Sequence, residues 1–268
     1  MYERIQKNVN IDLILANAET TVGNLILGGT SSSPILDFSN QNLTISGSAP
    51  LKIQPDEGCF SSADGIVANK LTLDYSSELT IQAGDGMDGD NGSSVGDGED
   101  GNPGKNGRHG GNGINVSTLE VIECYKLWIA AGDGGDGGNG SSGNNSDFNP
   151  FGTATPRKGG TGGNGGNGGD AIIVDENADL AEILAPVQTL FCYGGYGGDG
   201  GNGGAGGGKK HVGKGGNGGD GGYAGYACAS DGGSTTFFDG YNGRGGNGGK
   251  GGCNTNDRSQ NGADGISR

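Results

Sequence analysis

Between residues 9 and 83, apolar and polar positions alternate over short stretches. Val9, Ile11, Leu13 and Leu15 form the first run, and Leu43/Ile45, Leu51/Ile53 and Leu71/Leu73 follow. A period of two is the mark of half-buried β-strands. Gly, Asn, Asp, Ser and Pro punctuate the runs as turns. The pattern then recurs. Leu79-Thr80-Ile81-Gln82-Ala83-Gly84-Asp85-Gly86 aligns with Leu127-Trp128-Ile129-Ala130-Ala131-Gly132-Asp133-Gly134, and Leu190-Phe191-Cys192-Tyr193-Gly194 is a weaker copy. Leu71 and Leu119 precede the matching leucines by the same interval, so the repeat is longer than one motif. Cys192 takes the place of Ile81 and Ile129 and reads as a buried small hydrophobe.

From residue 84 the period becomes three. Gly86, Gly89 and Gly92 are in register, then Gly98, Gly101, Gly104, Gly107, Gly110 and Gly113. Later blocks carry two glycines per triplet, including Gly162 and Gly165, Gly198 and Gly201, Gly216 and Gly219, and Gly246 and Gly249. Three matches neither the α-helix nor the strand. It is the period of the polyproline II helix, which has no internal hydrogen bonds. Packed helices of this type must bond to their neighbours, and side-chain-free rows let backbones approach. These eight glycines are therefore expected to be structural. Two rows place a block inside a bundle, and one row places 98–113 at its edge. The remaining row, which includes Asn164, Asn167, Asp199, Asn202, Asn217 and Asp220, is expected to face solvent.

The fold class that follows is all-β or irregular: a small, β-solenoid-like base with a projecting layered bundle of polyglycine II arms. Residues 1–83 form the base. Residues 84–268 form the arm region, with base strands interleaved at 114–131 and 171–193. The arms pair as 84–92 with 98–113, 132–143 with 159–169, 194–207 with 213–225, and 240–252 with 262–265. Tips fall at 93–97, 144–158, 208–212 and 253–261.

Composition narrows the function. With 65 glycines in 268 residues, an ordinary helical domain is excluded, and seven prolines exclude collagen. The net charge of −15 argues against nucleic acid and anionic membranes. No apolar run is long enough to insert into a bilayer, and the amino terminus lacks a signal-peptide core. Five cysteines without paired C-x-x-C spacing suggest neither a zinc site nor a dense disulfide framework.

Candidate chemistry is sparse. Residues 165–172 match the calcium-binding G-G-x-G-x-D-x-U pattern once, without the tandem copies a β-roll needs. Asp85, Asp88, Asp90, Asp97, Glu99 and Asp100 are acidic enough for a hard cation, but read as a solvated edge. His109 and His211 have no nucleophile pattern nearby, so no catalytic residue, cofactor or metal is expected. The tips are more informative. The 144–158 loop carries Phe148, Phe151, Arg157 and Lys158 among prolines, and Lys209, Lys210 and His211 make a basic spot at the next tip. Aromatic rings in a polar tip either cap the bundle or serve as recognition anchors.

Residues 130–184, with AAGDGGDGGNG and RKGGTGGNGGNGGDAIIVDENADLAEIL, resemble the glycine-rich amino-terminal domain of the Obg GTPases over about a fifth of the chain. That resemblance implies glycine arms on a β base. No G-x-x-x-x-G-K-[ST] occurs, so it implies no GTPase activity. In organisation, residues 84–265 resemble the tail-fibre adhesins of T-even-like phages, where variable loops between glycine motifs contact the host. The arms are also similar to those of the snow-flea antifreeze proteins, which lack so large a base. An ice-binding face would need repeated small residues, and the outer row here mixes Asp, Asn, Lys, Arg and Tyr.

The expected function is a non-enzymatic receptor-binding protein that recognises a host-surface glycan or outer-membrane protein through its tips. The base is available to a fibre or particle protein. The expected location is extracellular or on a virion surface, after a cytoplasmic stage in the producing cell. A secreted, inclusion, spore or toxin-associated structural protein is the alternative.

Overall fold

The computed structural model describes residues 10–15, 34–55, 62–96, 98–144, 157–174, 178–207, 214–227, 239–241, 244, 246, 247, 249 and 262–268. The fold is all-β, with one parallel sheet and a single short helix among these residues. Its strands are β1 (Asn10–Leu15), β2 (Leu36–Gly47), β3 (Leu51–Ile53), β4 (Ile66–Gln82), β5 (Ile114–Ala130), β6 (Ile172–Ile173), β7 (Val187–Tyr193) and β8 (Asp239–Tyr241). The main order is β1-β2-β4-β5-β7-β8, with β3 beside β4 and β6 beside β5.

The aligned copies in the sequence pair directly. Leu71 lies opposite Leu119, Leu79 opposite Leu127 and Ile81 opposite Ile129, and Ile129 opposite Cys192. Register shifts between Leu73 and Asp74 and between Tyr75 and Glu78 divide β4 and β5 into three stretches. Their inward-facing apolar side chains, including Ile66, Leu71, Leu73, Leu79 and Ile81, are fully buried in one core, whereas Ile122, at the first register shift of β5, is exposed. Each such side chain contributes about 1.5–3 kcal/mol by leaving water. Alternation decides the inward face, and stacking identical rungs buries it.

Two expectations change. Leu71/Leu73 and Leu79/Ile81, expected as separate short strands, belong to one 17-residue strand, because the parallel neighbour continues the ladder across both bends. Within 171–193, expected as strand, Leu180–Leu184 is a helix. Asp179 caps it by accepting from the N–H groups of Ala181 and Glu182, and Leu180 and Leu184 bury one face at helical spacing.

Candidate functional site

Each outgoing glycine block leaves the base after a strand, the returning blocks lead back toward it, and all of them are neither helix nor strand over nearly their whole length. Hydrogen bonding sorts the blocks into two layers. Outgoing arms 84–92, 132–143, 194–207 and the described residues of 244–249 form one. There Gly86 donates to the Asp133 carbonyl at 2.7 Å, Gly134 to Tyr196 at 2.7 Å and Gly197 to Arg244 at 2.8 Å. Returning arms 98–113, 159–169, 214–225 and 262–268 form the other, with Gly104 donating to Thr161 at 2.9 Å, Gly162 to Asn217 at 2.8 Å and Gly218 to Ala263 at 2.8 Å. Between layers, Gly138 donates to Lys105, Gly163 to Gly138 and Gly201 to Gly163, each at 2.8 Å. The same bonds recur every third residue, as from Gly86 to Gly89 to Gly92.

Close approach explains the glycines. A Cβ on Gly162 would lie 1.8 Å from the Gly201 oxygen, and one on Gly201 would lie 2.1 Å from the Gly138 oxygen. Gly165, Gly198, Gly216, Gly219, Gly246 and Gly249 are equally tight, at 1.9–2.1 Å from a facing carbonyl oxygen. None of the eight has a positive φ, which among described glycines occurs at Gly47 and Gly98. Absence of a side chain, not backbone freedom, is what the position requires.

The first arm of each layer departs from the double-glycine pattern. On inner arms, one glycine phase meets the preceding arm of its own layer: a Cβ on Gly135 would meet the Met87 oxygen at 2.2 Å, and one on Gly163 the Lys105 oxygen at 1.9 Å. Arms 84–92 and 98–113 open their layers, and there the same phase holds Met87, Asp90, Lys105 and Arg108. Lys105 and Asp90 form a 2.7 Å ion pair across this edge, and the Lys105 ammonium holds the Asp90 carboxyl below the usual carboxylate range.

The third phase, expected only to face solvent, also ties the arms together. Asp85 Oδ1 accepts from the Asp133 N–H at 2.9 Å, and Asp133 Oδ1 from the Tyr196 N–H at 2.7 Å. Asp88, Asp136, Asp199 and Asn247 continue the same relay at 2.8, 2.7 and 2.6 Å. In the returning layer Asn106 accepts from Asn164, and Asn164 from Asp220. His109 takes part through Nδ1, which accepts from the Asn167 N–H at 2.8 Å. These side-chain ladders satisfy the backbone donors left over after both sets of carbonyl bonds. Their sequence signal is an acceptor side chain at the same phase of successive arms, which composition alone does not separate from a solvated row.

The two outer faces differ. Asp85, Asp88, Asp133, Asp136 and Asp199 make the outgoing face acidic, and a shallow groove crosses it between Asp88, Asp136, Asp199 and Asn247. Desolvation by the packed backbone, with the nearby Asp85 charge, raises the Asp133 pKa, although the Tyr196 N–H opposes this. The returning face carries the exposed rings of Tyr223 and Tyr226 and pairs Asp220 with Arg268 at 3.0 Å. The Ile266 N–H and then Arg268 hold the Asp220 carboxyl low.

At the far ends, Arg157 and Lys158 lie at the root of one tip. Arg157 is half-buried, and its backbone exchanges hydrogen bonds with Gly207 at 3.3 and 2.9 Å. Lys158 is exposed, and its N–H donates to Asp100 at 2.9 Å. Asn144, at the other root, exchanges bonds with Gly98 and Glu99. Phe148, Phe151, Lys209, Lys210 and His211 lie outside the described residues.

The acidic cluster is dispersed. Asp85 and Asp88 belong to a ladder, Asp90 to the ion pair, Glu99 accepts from the Gly96 N–H, and Asp100 from Lys158, while Asp97 lies outside the described residues. No group of side chains suited to a metal occurs among the described residues. Asp170, in the calcium-like pattern, accepts from the Tyr226 N–H. Cys124 and Cys192 are buried, and burial pushes the Cys124 thiol up to about 11. No described helix is long and apolar enough to cross a membrane.

No family model and no curated protein matches the chain. Among solved structures, a springtail antifreeze protein from Granisotoma rainieri, described as a nine polyproline type II helical bundle, is 25% identical over 68% of this chain and 93% of its own, with a TM-score of 0.22. That superposition does not establish a shared fold.

Proposed function

We propose that the chain is a non-enzymatic surface adhesin, in which a β base carries rigid polyglycine II arms whose tips recognise a glycan or outer-membrane protein of a host surface. The observation that supports this reading is the double clamp at the roots of the 145–156 segment. Asn144 is bound to the first returning arm through Glu99, and Arg157 to the next outgoing arm through Gly207. A loop with both ends held by hydrogen-bonded arms loses less freedom on meeting a partner than one on a flexible stalk. In this reading Phe148 and Phe151 serve as anchors, and Arg157, Lys158 and the basic residues 209–211 as further contacts. The base attaches to a fibre or particle, and the protein works outside the cell that makes it.

The test is binding to intact cells of candidate hosts and to a glycan array. Phe148→Ala with Phe151→Ala should weaken host binding at least about tenfold, the scale set by aromatic interface anchors, while the melting temperature hardly moves. A large fall in melting temperature, with binding kept by the folded fraction, makes the rings a structural cap instead. If neither property changes, tip recognition is wrong.

A further inference from the structure

The outer face of the returning layer holds the exposed rings of Tyr223 and Tyr226, 55% and 58% accessible. They are three positions apart on one arm, so they stand about 9 Å apart at the rise of an extended threefold helix. Both are held at the backbone. The Tyr223 N–H donates to Asn167 at 3.0 Å and its carbonyl accepts from Gly168 at 2.9 Å. The Tyr226 N–H donates to Asp170 at 2.8 Å and its carbonyl accepts from Ala171 at 2.9 Å. Arg268 lies over the Tyr223 ring at 4.4 Å, bonds its hydroxyl, and is itself paired with Asp220. Arg268 thus covers one face of the Tyr223 ring and fixes it before any ligand arrives, so stacking uses the part of the ring that stays exposed.

We infer that this face binds a neutral, linear polysaccharide, with Tyr223 and Tyr226 as stacking platforms for alternate sugar rings and the side-chain amides of Asn164 and Asn167 as donors to its hydroxyls. Three observations select that ligand. Two exposed rings three positions apart on one arm, the Tyr223 ring held by Arg268, suit an extended chain of sugars rather than a compact ligand. The ladder uses Oδ1 of Asn164 and Asn167, which leaves their Nδ2 donors for a ligand. Charge selects neutrality: the net −15 repels acidic polymers, and Asp220 is already compensated by Arg268. The opposite face carries a row of aspartates beside the exposed ring of Tyr196, so it presents negative charge where this face does not. The inference is independent of recognition by the tips.

Isothermal titration of the full chain with cellohexaose, maltohexaose and chitohexaose tests it. At least one should bind, and Tyr223→Ala with Tyr226→Ala should weaken that binding at least about tenfold, or 1.4 kcal/mol. Tyr223→Phe with Tyr226→Phe should stay within about twofold, because a phenyl ring still stacks. Phe148→Ala with Phe151→Ala should leave the affinity unchanged, whatever it does to host binding. If circular dichroism shows that the double alanine variant fails to fold, Tyr226→Ala alone carries the test, with a loss of about threefold or more expected for one lost platform. Absence of binding by all three hexasaccharides overturns the inference. So does affinity that survives removal of the rings, or affinity lost with the tip phenylalanines.

Discussion

Asn106 accepts, through Oδ1, a 2.8 Å hydrogen bond from the backbone N–H of Asn164, 58 residues further along the chain. Asn164 accepts in the same way from Asp220 at 2.9 Å. Asparagine and aspartate both supply this oxygen, which is why the ladders use them interchangeably. Asn164→Asp should leave the melting temperature nearly unchanged, whereas Asn164→Leu should cost about 1 kcal/mol in thermal or denaturant unfolding, the worth of one net hydrogen bond. Equal losses in the two variants would show that the ladder bond adds no stability.

His109 occupies a ladder position with an imidazole, and its Nδ1 must keep a lone pair to accept from Asn167. His109→Asn should therefore fold with wild-type stability. His109→Lys, which has no acceptor, should lose about 1 kcal/mol. Denaturant midpoints of the two variants at neutral pH check this, and a stable lysine variant would argue against it.

Gly201 and Gly96 should respond in opposite ways to alanine. The new Cβ at Gly201 would lie 2.1 Å from the Gly138 carbonyl oxygen, a backbone atom fixed by its own bonds, whereas at Gly96 the nearest atom is the flexible Glu99 carboxylate at 3.3 Å. Gly201→Ala should cost more than about 3 kcal/mol or prevent folding, exceeding ordinary core overpacking. Gly96→Ala should be close to neutral. Soluble yield and melting temperature distinguish them.

Asp133→Asn should stabilise the protein at neutral pH. The folded protein raises this carboxyl's pKa through desolvation and the neighbouring Asp85, so ionising it costs more folded than unfolded. Asparagine removes that cost and keeps the oxygen that accepts from Tyr196. Because the residue sits on an exposed face, solvent screening limits the gain to under about 1 kcal/mol. The sign follows from linkage: the cost appears as pH rises through the carboxylate range and is relieved below it. The advantage of the variant should thus vanish in acid. A gain that persists below the carboxylate range would have another origin.

Cys124 and Cys192 should resist thiol reagents in the native state. Both are buried, and at about 11 the Cys124 pKa leaves almost no thiolate at neutral pH. Mass spectrometry after maleimide treatment should find these two labelled only once the chain is unfolded. Rapid native labelling would mean that the base opens locally.

Much of the base was legible in the chain. Alternation placed Leu71, Leu73, Leu79 and Ile81 inward, and the repeat that aligned Leu79 with Leu127 is the register in which they pair, because identical rungs stack with like residues in contact. The three-residue glycine spacing was equally legible, since a backbone that must approach a neighbour can carry no side chain there. Other features arose only in three dimensions. Local periodicity reports a residue's phase on its own arm but not which arm lies beside it. Hence the use of Asp85, Asn106 and His109 as acceptors for donors far along the chain could not be read from their neighbourhoods. The helix at Leu180–Leu184 is too short to impose a period, and packing of Leu180 and Leu184 into the core selects it. The arrangement of arms into two layers is likewise a tertiary decision: the arms are neither helix nor strand, and their backbone donors are satisfied by neighbouring arms.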